Sequence, residues 1–275
     1  MRNGKWEDYE LDFIKQNYKD MTYKEMADIL DRTKTAVDLK VNRLGLTKSK
    51  YIYEKDFFKE INTEEKAYWL GFIFADGCVS YDPLSKSAEL CIKLQGRDIV
   101  HLKKFNKSIN GNVEVKSFIE VCNLNGKKYD ACSIRFYSNE LVLDLMGLGV
   151  VPNKSLVSKF PQIREDLISH FIRGYFDGDG CICLDNKRKH PKADFTSGSL
   201  EFLLSLREEL YKNNINSYYC KEKDINTYRL YIRGMKNFDN FFNYIYEKST
   251  IYLDRKIHIK NKLYDEYNVA QRLLL

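Results

Sequence analysis

A nine-residue pattern that occurs twice constrains the fold of this chain more than any other feature. Residues 69–77 read WLGFIFADG and residues 172–180 read IRGYFDGDG, so each copy carries two small residues four positions apart, followed by Asp-Gly. Residues four apart on a helix lie on one face. A glycine within a helix costs about 1 kcal/mol relative to alanine, and close packing of two helix backbones can offset that cost. We therefore expect two helices that pack together, with Gly71 and Gly174 at their interface.

Each copy ends in an acidic residue, Asp76 or Asp179. If the helices pack together, the two carboxylates meet at the C-terminal ends, where the helix dipoles and their mutual repulsion both oppose negative charge. A hard divalent cation held by oxygen ligands would remove this conflict. The pattern therefore predicts a metal site at Asp76 and Asp179, to which the main-chain carbonyls of Ala75 and Gly178 could add ligands.

Both copies resemble the LAGLIDADG motif of homing endonucleases in its two-motif, single-chain form, over roughly residues 60–270. The resemblance implies a mobile-element enzyme that makes a metal-dependent, staggered break in both strands of a long, specific DNA target. The implied cofactor is Mg²⁺, or another divalent cation such as Mn²⁺, or Ca²⁺ in a complex that does not cleave. The first copy departs from the family pattern at Phe74, where the second has Asp177. Both implied metal ligands, Asp76 and Asp179, are nevertheless present.

Hydrophobic periodicity predicts the same order of elements after each motif helix. The first motif helix ends at Asp76 and is followed by two strands, a helix, two strands and a helix at about 139–147; the second motif helix spans about 164–178. The two motif aspartates are 103 residues apart, and such an offset between matching features is typical of internal duplication. We expect an α+β fold of two αββαββα halves with pseudo-two-fold symmetry, each with an antiparallel sheet that packs on helices through one face.

The opposite faces of the two sheets would be basic and rich in aromatic side chains. A two-stranded ribbon fits the major groove of duplex DNA, so the two sheets together would form a saddle that binds double-stranded DNA. An ordinary solvated sheet face is the alternative for each residue taken singly. The predicted DNA-facing residues are Lys93, Lys116, Arg135, Tyr137, Lys221, Arg229, Tyr231 and Arg233.

Two lysines occupy similar places in the two halves. Lys154 and Lys256 are 102 residues apart, and each follows the last helix of its repeat in a context that resembles the active-site lysine of the family. A lysine there would stabilise phosphate charge or perturb the attacking water, although either could simply be solvated. Gln95 and Ser197 end equivalent strands near the motif helices and could position water. The predicted catalytic residues are therefore Asp76, Asp179, Lys154, Lys256, Gln95 and Ser197.

The N-terminal residues form a separate pattern of three short helices. Thr22-Tyr23-Lys24-Glu25 is a capping box that opens the second helix, and the third runs from about Thr33 to Leu44 and stops at Gly45. This pattern resembles a helix-turn-helix module, whose last helix enters the major groove. A three-helix lid packed on the main domain is the alternative. The residues that would contact DNA are Thr33, Lys34, Thr35, Lys40 and Arg43.

The amino-acid composition limits which partners and which cell compartment we expect. The net charge of +6 allows an anionic partner without demanding one. The chain has neither an apolar run near the ~20 residues of a membrane span nor a signal-peptide h-region. The seven cysteines are scattered, and Cys181-x-Cys183, the only close pair, lacks the spacing of a zinc site. We expect a monomer with reduced cysteines in the cytoplasm or an organellar matrix, not secreted and with no membrane partner.

The chain would then divide into four segments, namely a helix-turn-helix module (1–46), a linker rich in Lys and Tyr (47–60), and two repeats (61–157 and 158–275). The leading hypothesis is a site-specific endonuclease that breaks both strands of DNA. A catalytically silent DNA-binding regulator is the second, although regulators with this fold tend to lose the acidic pair that remains here. An intron RNA-splicing maturase is the third, because a basic sheet face would serve either nucleic acid. Intein splicing is disfavoured, since no nucleophilic Cys or Ser starts the chain and no His-Asn ends it.

Overall fold

The chain forms two compact units, Met1–Ile52 and Tyr53–Leu275. The unit boundary falls within the predicted linker, residues 47–60. From Tyr53 onward this segment belongs to the second unit, where the Tyr53 hydroxyl donates a 2.9 Å hydrogen bond to the carbonyl of Tyr137. The computed structural model describes residues 4–46, 51–122, 126–152, 154–184, 190–222 and 227–272, with the backbone alone at residues 155 and 268–272.

The first unit contains helices α1 (Asp8–Asn17), α2 (Tyr23–Ile29) and α3 (Lys34–Arg43). The predicted capping box is present: the Glu25 amide donates to the Thr22 hydroxyl, and the Thr22 amide donates to the Glu25 carboxylate. This reciprocal pair satisfies amides that the first turn of a helix leaves without partners. The core that joins the three helices consists of Ile14, Met26, Ala27, Leu30, Val37 and Val41.

A buried ion pair also holds the first unit together. The Arg32 guanidinium donates hydrogen bonds of 2.9 and 2.8 Å to the two carboxylate oxygens of Glu10, and both side chains are buried. It donates further hydrogen bonds to the carbonyls of Gly4 and Lys5. Arg32 therefore fastens the segment before α1 to the turn between α2 and α3.

The second unit contains the two predicted repeats. The first repeat comprises α4 (Glu64–Asp76), β1 (Gly77–Asp82), β2 (Ser87–Gln95), α5 (Ile99–Ser108), β3 (Lys116–Val121), β4 (Lys128–Phe136) and α6 (Asn139–Gly147). The second comprises α7 (Ile168–Asp179), β5 (Cys181–Leu184), β6 (Pro191–Ser197), α8 (Leu200–Lys212), β7 (Ser217–Lys221), β8 (Tyr228–Arg233), α9 (Met235–Tyr246) and a further helix, α10 (Asp254–Arg272).

Each repeat contains one four-stranded antiparallel sheet, with strand orders β1-β2-β4-β3 and β5-β6-β8-β7. The register repeats with the sequence offset, since Cys78 pairs with Cys91 in the first sheet and Cys181 pairs with Asp194, each 103 positions later, in the second. The predicted fold class, a duplicated αββαββα arrangement with two antiparallel sheets, is confirmed.

Aromatic rings fill much of the space between the motif helices and the other helices and sheets. In the first repeat, Trp69 packs on Phe72 and Phe105, and in the second, Phe176 packs on Phe195 and Phe241. All six side chains are buried. Rings of this size bury large apolar areas, so the two motif helices lie at the centre of the core. None of the helices described is both long and apolar enough to cross a membrane.

Candidate metal centre and nucleic-acid interface

The backbones of the two motif helices, α4 and α7, are in contact at their glycines. A Cβ atom at Gly71 would lie 2.0 Å from the carbonyl oxygen of Phe171, and one at Gly174 would lie 1.9 Å from that of Tyr68. Real Cβ atoms essentially never come within 3.0 Å of another heavy atom, so neither position can hold a side chain unless the helices move apart. The contact is reciprocal, because each glycine faces the backbone of the other helix.

This close packing continues to the C-terminal ends of the helices. A Cβ atom at Gly178 would lie 2.4 Å from the Cβ of Ala75 and 3.1 Å from Oδ2 of Asp76, so the Asp76 carboxylate lies against the last turn of α7. Burial raises the pKa of Asp76 to about 7, and the negative charge of Asp179 adds to the effect. Desolvation also raises the pKa of Asp179, although this residue is exposed at the surface. The structure thus brings the two motif aspartates within electrostatic range of each other.

The donor atoms at this place fit a hard divalent cation. Two carboxylates stand at the negative ends of two helix dipoles, where each destabilises the ionised form of its neighbour. The carbonyls of Ala75 and Gly178 belong to the last four of their helices, which have no partner within the helix. Carboxylate and carbonyl oxygens are the ligands that Mg²⁺ and Ca²⁺ prefer. Asp76, Asp179, Ala75 and Gly178 could therefore hold such an ion together.

The two lysines predicted from the repeat offset occupy matching positions. The Lys154 ammonium donates to the carbonyl of Gly77, and the Lys256 ammonium donates to the carbonyl of Gly180. Each acceptor is the residue directly after a motif aspartate. Burial lowers the pKa of both lysines, and the charge of Asp179 opposes this shift at Lys154. Each lysine therefore places a positive charge at the C-terminal end of a motif helix, beside the acidic pair.

Gln95 and Ser197 do not occupy equivalent positions. Gln95, Asp76 and Gly178 line one cavity of about 370 Å³ at the ends of the motif helices. The offset of 103 residues maps Gln95 one position beyond Ser197, and Ser197 shares a face of β6 with the buried Phe195. A shift of one residue moves a side chain to the other face of a strand. Both residues end equivalent strands, as predicted, but the cavity lining includes Gln95 and not Ser197.

Arg255 is a residue of this site that the sequence analysis missed. It lines the same cavity, and its guanidinium donates hydrogen bonds of 3.3 and 3.1 Å to the carboxylate of Asp98, which directly precedes α5. Its positive charge favours the ionised form of Asp76. The only signal in the sequence is its place next to Lys256, and the contact with Asp98 crosses from one repeat to the other.

The structure also accounts for the difference between the two motifs. Asp177 is buried and accepts hydrogen bonds from the Tyr68 hydroxyl (2.8 Å), the Tyr246 hydroxyl and the Leu253 amide (2.7 Å). Leu253 lies three residues before Lys256, so Asp177 anchors the segment that carries this lysine. The first motif has Phe74 at the matching position, where the ring packs on apolar neighbours instead. Phe74 and Asp177 are therefore both buried packing residues. The Asp177 carboxylate is occupied by hydrogen bonds within the protein, so it does not compete with Asp76 and Asp179 for a cation.

The predicted DNA-facing residues of the first sheet lie on one face. Lys93 and Lys116 both pair with Ser133, so all three point to the same face. Arg135 is two residues beyond Ser133 on β4 and therefore points to that face as well. Tyr137 follows β4 and is exposed. This face is mixed in charge, because the Lys93 ammonium lies 2.6 Å from Glu120 and Arg135 forms an ion pair with Glu89.

In the second sheet, Arg229, Tyr231 and Arg233 share one face. The Arg233 guanidinium lies 4.9 Å from the ring centre of Tyr231 and 4.9 Å from that of Tyr218, so this face carries a cationic and aromatic cluster. Lys221 pairs with Tyr228, the neighbour of Arg229, and therefore has the opposite parity. Its predicted place on this face was therefore wrong, because a shift of one residue moves a side chain to the other face of the sheet.

The residues predicted to read DNA from the first unit lie on or next to α3. Thr33 precedes the helix, and its hydroxyl accepts a 3.1 Å hydrogen bond from the Ala36 amide as the N-cap. The Lys40 ammonium lies 5.4 Å from the ring centre of Trp6. The exposed members of the predicted set are Lys34, Thr35 and Arg43.

Comparison with known proteins supports the same fold. Residues 166–246 match the model of the LAGLIDADG-like domain. The chain is 27% identical over 214 residues to DNA-directed RNA polymerase subunit Rpo1C of Methanocaldococcus jannaschii, and 31% identical over 193 residues to the probable translation initiation factor IF-2 of the same organism. These matches cover 74% and 64% of this chain but only 22% and 14% of those proteins.

Two solved structures of homing endonucleases are similar over most of their length. The structure of I-WcaI bound to its DNA recognition sequence superposes with a TM-score of 0.51 at 18% identity, covering 70% of this chain and 85% of that one. I-DmoI in complex with DNA and Ca superposes with a TM-score of 0.50 at 15% identity, covering 72% and 97%. Identity this low shows a shared fold alone. The resemblance to the LAGLIDADG family is therefore confirmed, and the chain has the LAGLIDADG fold.

Proposed function

We propose that this chain is a site-specific endonuclease that hydrolyses phosphodiester bonds in both strands of duplex DNA. One observation carries the proposal: the close packing of α4 and α7 sets Asp76 against the last turn of α7, within electrostatic range of Asp179, with a lysine beside each aspartate. Two neighbouring carboxylates disfavour each other's ionised form, so this pair would destabilise the fold if it had only a structural role. Their arrangement is explained if a divalent cation and a phosphate occupy the site during function.

The residues would divide the chemistry among them. Asp76 and Asp179 would hold Mg²⁺, or Mn²⁺ in its place, with help from the carbonyls of Ala75 and Gly178. A bound cation would stabilise charge on the phosphate and lower the pKa of a water molecule. Lys154 and Lys256 would stabilise negative charge on the phosphate of the nearer strand. Gln95, exposed in the cavity beside Asp76, would orient the attacking water in the first half.

Two lysines in matching positions support a double-strand reaction. Each repeat would supply one aspartate and one lysine, so the pseudo-two-fold axis between α4 and α7 would relate two scissile phosphates. Two such phosphates on opposite strands would give a break in both strands, and the resemblance to the family implies that this break is staggered. Ser197 does not repeat the position of Gln95, so we expect the two strands to be cut at different rates.

The exposed sheet faces would bind the DNA on either side of the break. The cluster of Arg229, Tyr231 and Arg233 combines positive charge for phosphates with rings that can contact bases or sugars. Arg233→Ala should weaken DNA binding and reduce the salt dependence of the affinity by about one phosphate contact. Lys221→Ala is the matched control, because Lys221 lies on an adjacent strand with opposite parity. Equal loss of affinity in both variants would argue against this face.

The experiment that tests the nuclease proposal uses a randomised library of duplex DNA. The full chain is incubated with the library and Mg²⁺, and the cut ends are sequenced, with Ca²⁺ as the non-cleaving control. We expect cuts at one long site with a fixed stagger. Asp76→Asn and Asp179→Asn should abolish cutting while the affinity for the selected site stays nearly constant. Cutting that survives the double substitution would refute the proposed site.

DNA binding without cleavage is the second candidate function. The first unit favours DNA binding, because Lys34, Thr35 and Arg43 of α3 are exposed. Other residues of α3, Val37 and Val41, belong to the small apolar core of this unit. We propose that this unit is a helix-turn-helix reading head that extends the DNA site. A chain without residues 1–46 should then bind a shorter site with lower affinity. A protein that selects one DNA sequence but never cuts it with Mg²⁺ or Mn²⁺ would establish the regulator in place of the nuclease.

A further inference from the structure

A second cluster of possible metal ligands lies on the second sheet and begins at Cys181, two residues after Asp179. The thiols of Cys181 and Cys183 and the carboxylate of Asp194 come together there, and their ligand atoms all lie within 4.8 Å of one another. This cluster could not be predicted from the sequence spacing, because Cys181-x-Cys183 supplies only two ligands. The third comes from the neighbouring strand, where Asp194 pairs directly with Cys181.

A carboxylate oxygen of Asp194 gives independent evidence that this cluster binds a cation. Its side chain is 2% exposed, yet its Oδ1 atom has no hydrogen-bond donor among the described residues. Within the described part of the chain, the Arg229 guanidinium lies 3.9 Å from this oxygen, which is beyond hydrogen-bond distance, and it also lies 2.9 Å from Glu222. A buried carboxylate oxygen without a donor costs about 1–3 kcal/mol or more. A cation bound by this oxygen would remove that cost.

The chemistry of the three ligands selects the type of cation. Two thiolates and one carboxylate suit a borderline-soft ion, whereas Mg²⁺ and Ca²⁺ prefer oxygen alone. Tetrahedral zinc with Zn–S bonds of about 2.3 Å places two sulfurs about 3.8 Å apart, which is within the observed limit of 4.8 Å. The exposed position of Cys181 leaves room for a fourth ligand from solvent.

The first repeat offers an internal comparison. The positions that match Cys181, Cys183 and Asp194 hold Cys78, Ser80 and Cys91. Serine is a poor zinc ligand, so the first sheet keeps only a cross-strand pair of cysteines. The cluster is therefore a feature of the second sheet alone among the described residues, and duplication of the fold does not account for it.

From this geometry we infer that Cys181, Cys183 and Asp194 form a zinc site with an open fourth position on the same sheet face as Arg229 and Tyr231. Bound zinc would join β5 to β6 and would compensate the charge of Asp194. A zinc ion here lies on the face proposed to contact DNA, so its open position would be available to water or to a DNA oxygen. The inference does not depend on nuclease activity.

The test uses the full chain, reduced and stripped of metal, and titrated with Cd²⁺ alone and then with Zn²⁺ against a chromophoric chelator. Cadmium bound by thiolates gives an ultraviolet sulfur-to-metal charge-transfer band that carboxylates cannot produce. We expect one equivalent of Cd²⁺ to produce the band, and Zn²⁺ to bind the metal-free chain with the same stoichiometry. Cys181→Ser and Cys183→Ser should each weaken Zn²⁺ binding by at least ~100-fold, because even the loss of a group that only hydrogen-bonds to a metal ligand can reach that factor.

Two controls separate this site from its surroundings. Cys78→Ser removes the matching thiol of the first sheet and should leave the band intact. Asp76→Asn with Asp179→Asn removes the acidic pair and should leave it intact as well. Circular dichroism of each metal-free variant verifies folding, and the cysteine variants decide the matter even if Asp194→Asn does not fold. A band that survives loss of both Cys181 and Cys183, or that never appears in the folded wild type, would overturn the inference.

Discussion

Gly174→Ala tests the packing of the motif helices most severely. The added methyl group would lie 1.9 Å from the Tyr68 carbonyl oxygen and 2.8 Å from the Phe72 amide nitrogen. Reaching even the 3.0 Å limit requires α4 and α7 to separate by at least 1.1 Å at this point, the difference between 3.0 and 1.9 Å. Both atoms belong to helix backbone, so no side-chain rotation can relieve the contact.

The expected magnitude follows from two opposing effects. Overpacking of a well-packed core costs about 1–3 kcal/mol and occasionally more, whereas alanine gains about 1 kcal/mol over glycine in a helix. Since the obstacle here is backbone, we expect the upper part of that range to apply and a net loss of about 2 kcal/mol in the free energy of unfolding. A displacement of about 1 Å at the aspartates should also slow cleavage by roughly 100-fold.

The assay is urea unfolding followed by tryptophan fluorescence, since Trp69 lies buried in α4. Gly147→Ala is the matched control: Gly147 ends α6, has no atom within 4 Å of an added Cβ, and should give unchanged or slightly higher stability. If Gly174→Ala unfolded at the same urea concentration as the wild type and cleaved DNA normally, the argument from close packing would be refuted.

Three further predictions concern charge. Because burial raises the pKa of Asp76 to about 7, the folded metal-free protein binds a proton that the unfolded chain releases near pH 4. The free energy of unfolding should therefore decrease as the pH rises from about 4 to about 7, by at most about 4 kcal/mol in total. Asp76→Asn should flatten this profile in thermal melts. Lys256→Met should reduce the cleavage rate about 100-fold without loss of DNA affinity, whereas Lys262→Met, at an exposed position on α10, should change neither. Glu10→Gln should lower the midpoint of chemical denaturation of the first unit, followed by circular dichroism, because it removes the negative charge that pairs with the Arg32 guanidinium. An unchanged midpoint would show that this ion pair is dispensable.

Features set by local spacing could be predicted from the sequence. The small residues and aspartates of the two motifs lie on their helices as the four-residue spacing requires. Helix α6 begins at Asn139 and ends at Gly147, as predicted, because Ser138 caps its first turn. The matching places of Lys154 and Lys256 followed from the repeat offset, since duplicated segments keep equivalent residues in equivalent positions.

Features that depend on pairing between distant segments could not be predicted. The face on which Ser197 or Lys221 lies is decided by the register between strands, and an error of one residue reverses it. The contact of Arg255 with Asp98 joins two repeats across 157 positions and leaves no local pattern. Asp194 joins the two nearby cysteines only because β5 and β6 pair in one particular register.

The most direct test of the central claim is a crystal structure of the full chain with its selected DNA and Mn²⁺, in which anomalous scattering locates the metal. We predict an anomalous peak at the C-terminal ends of α4 and α7, within coordination distance of both Asp76 and Asp179. Manganese bound elsewhere, or a site in which the two carboxylates contact no common cation or phosphate, would contradict it.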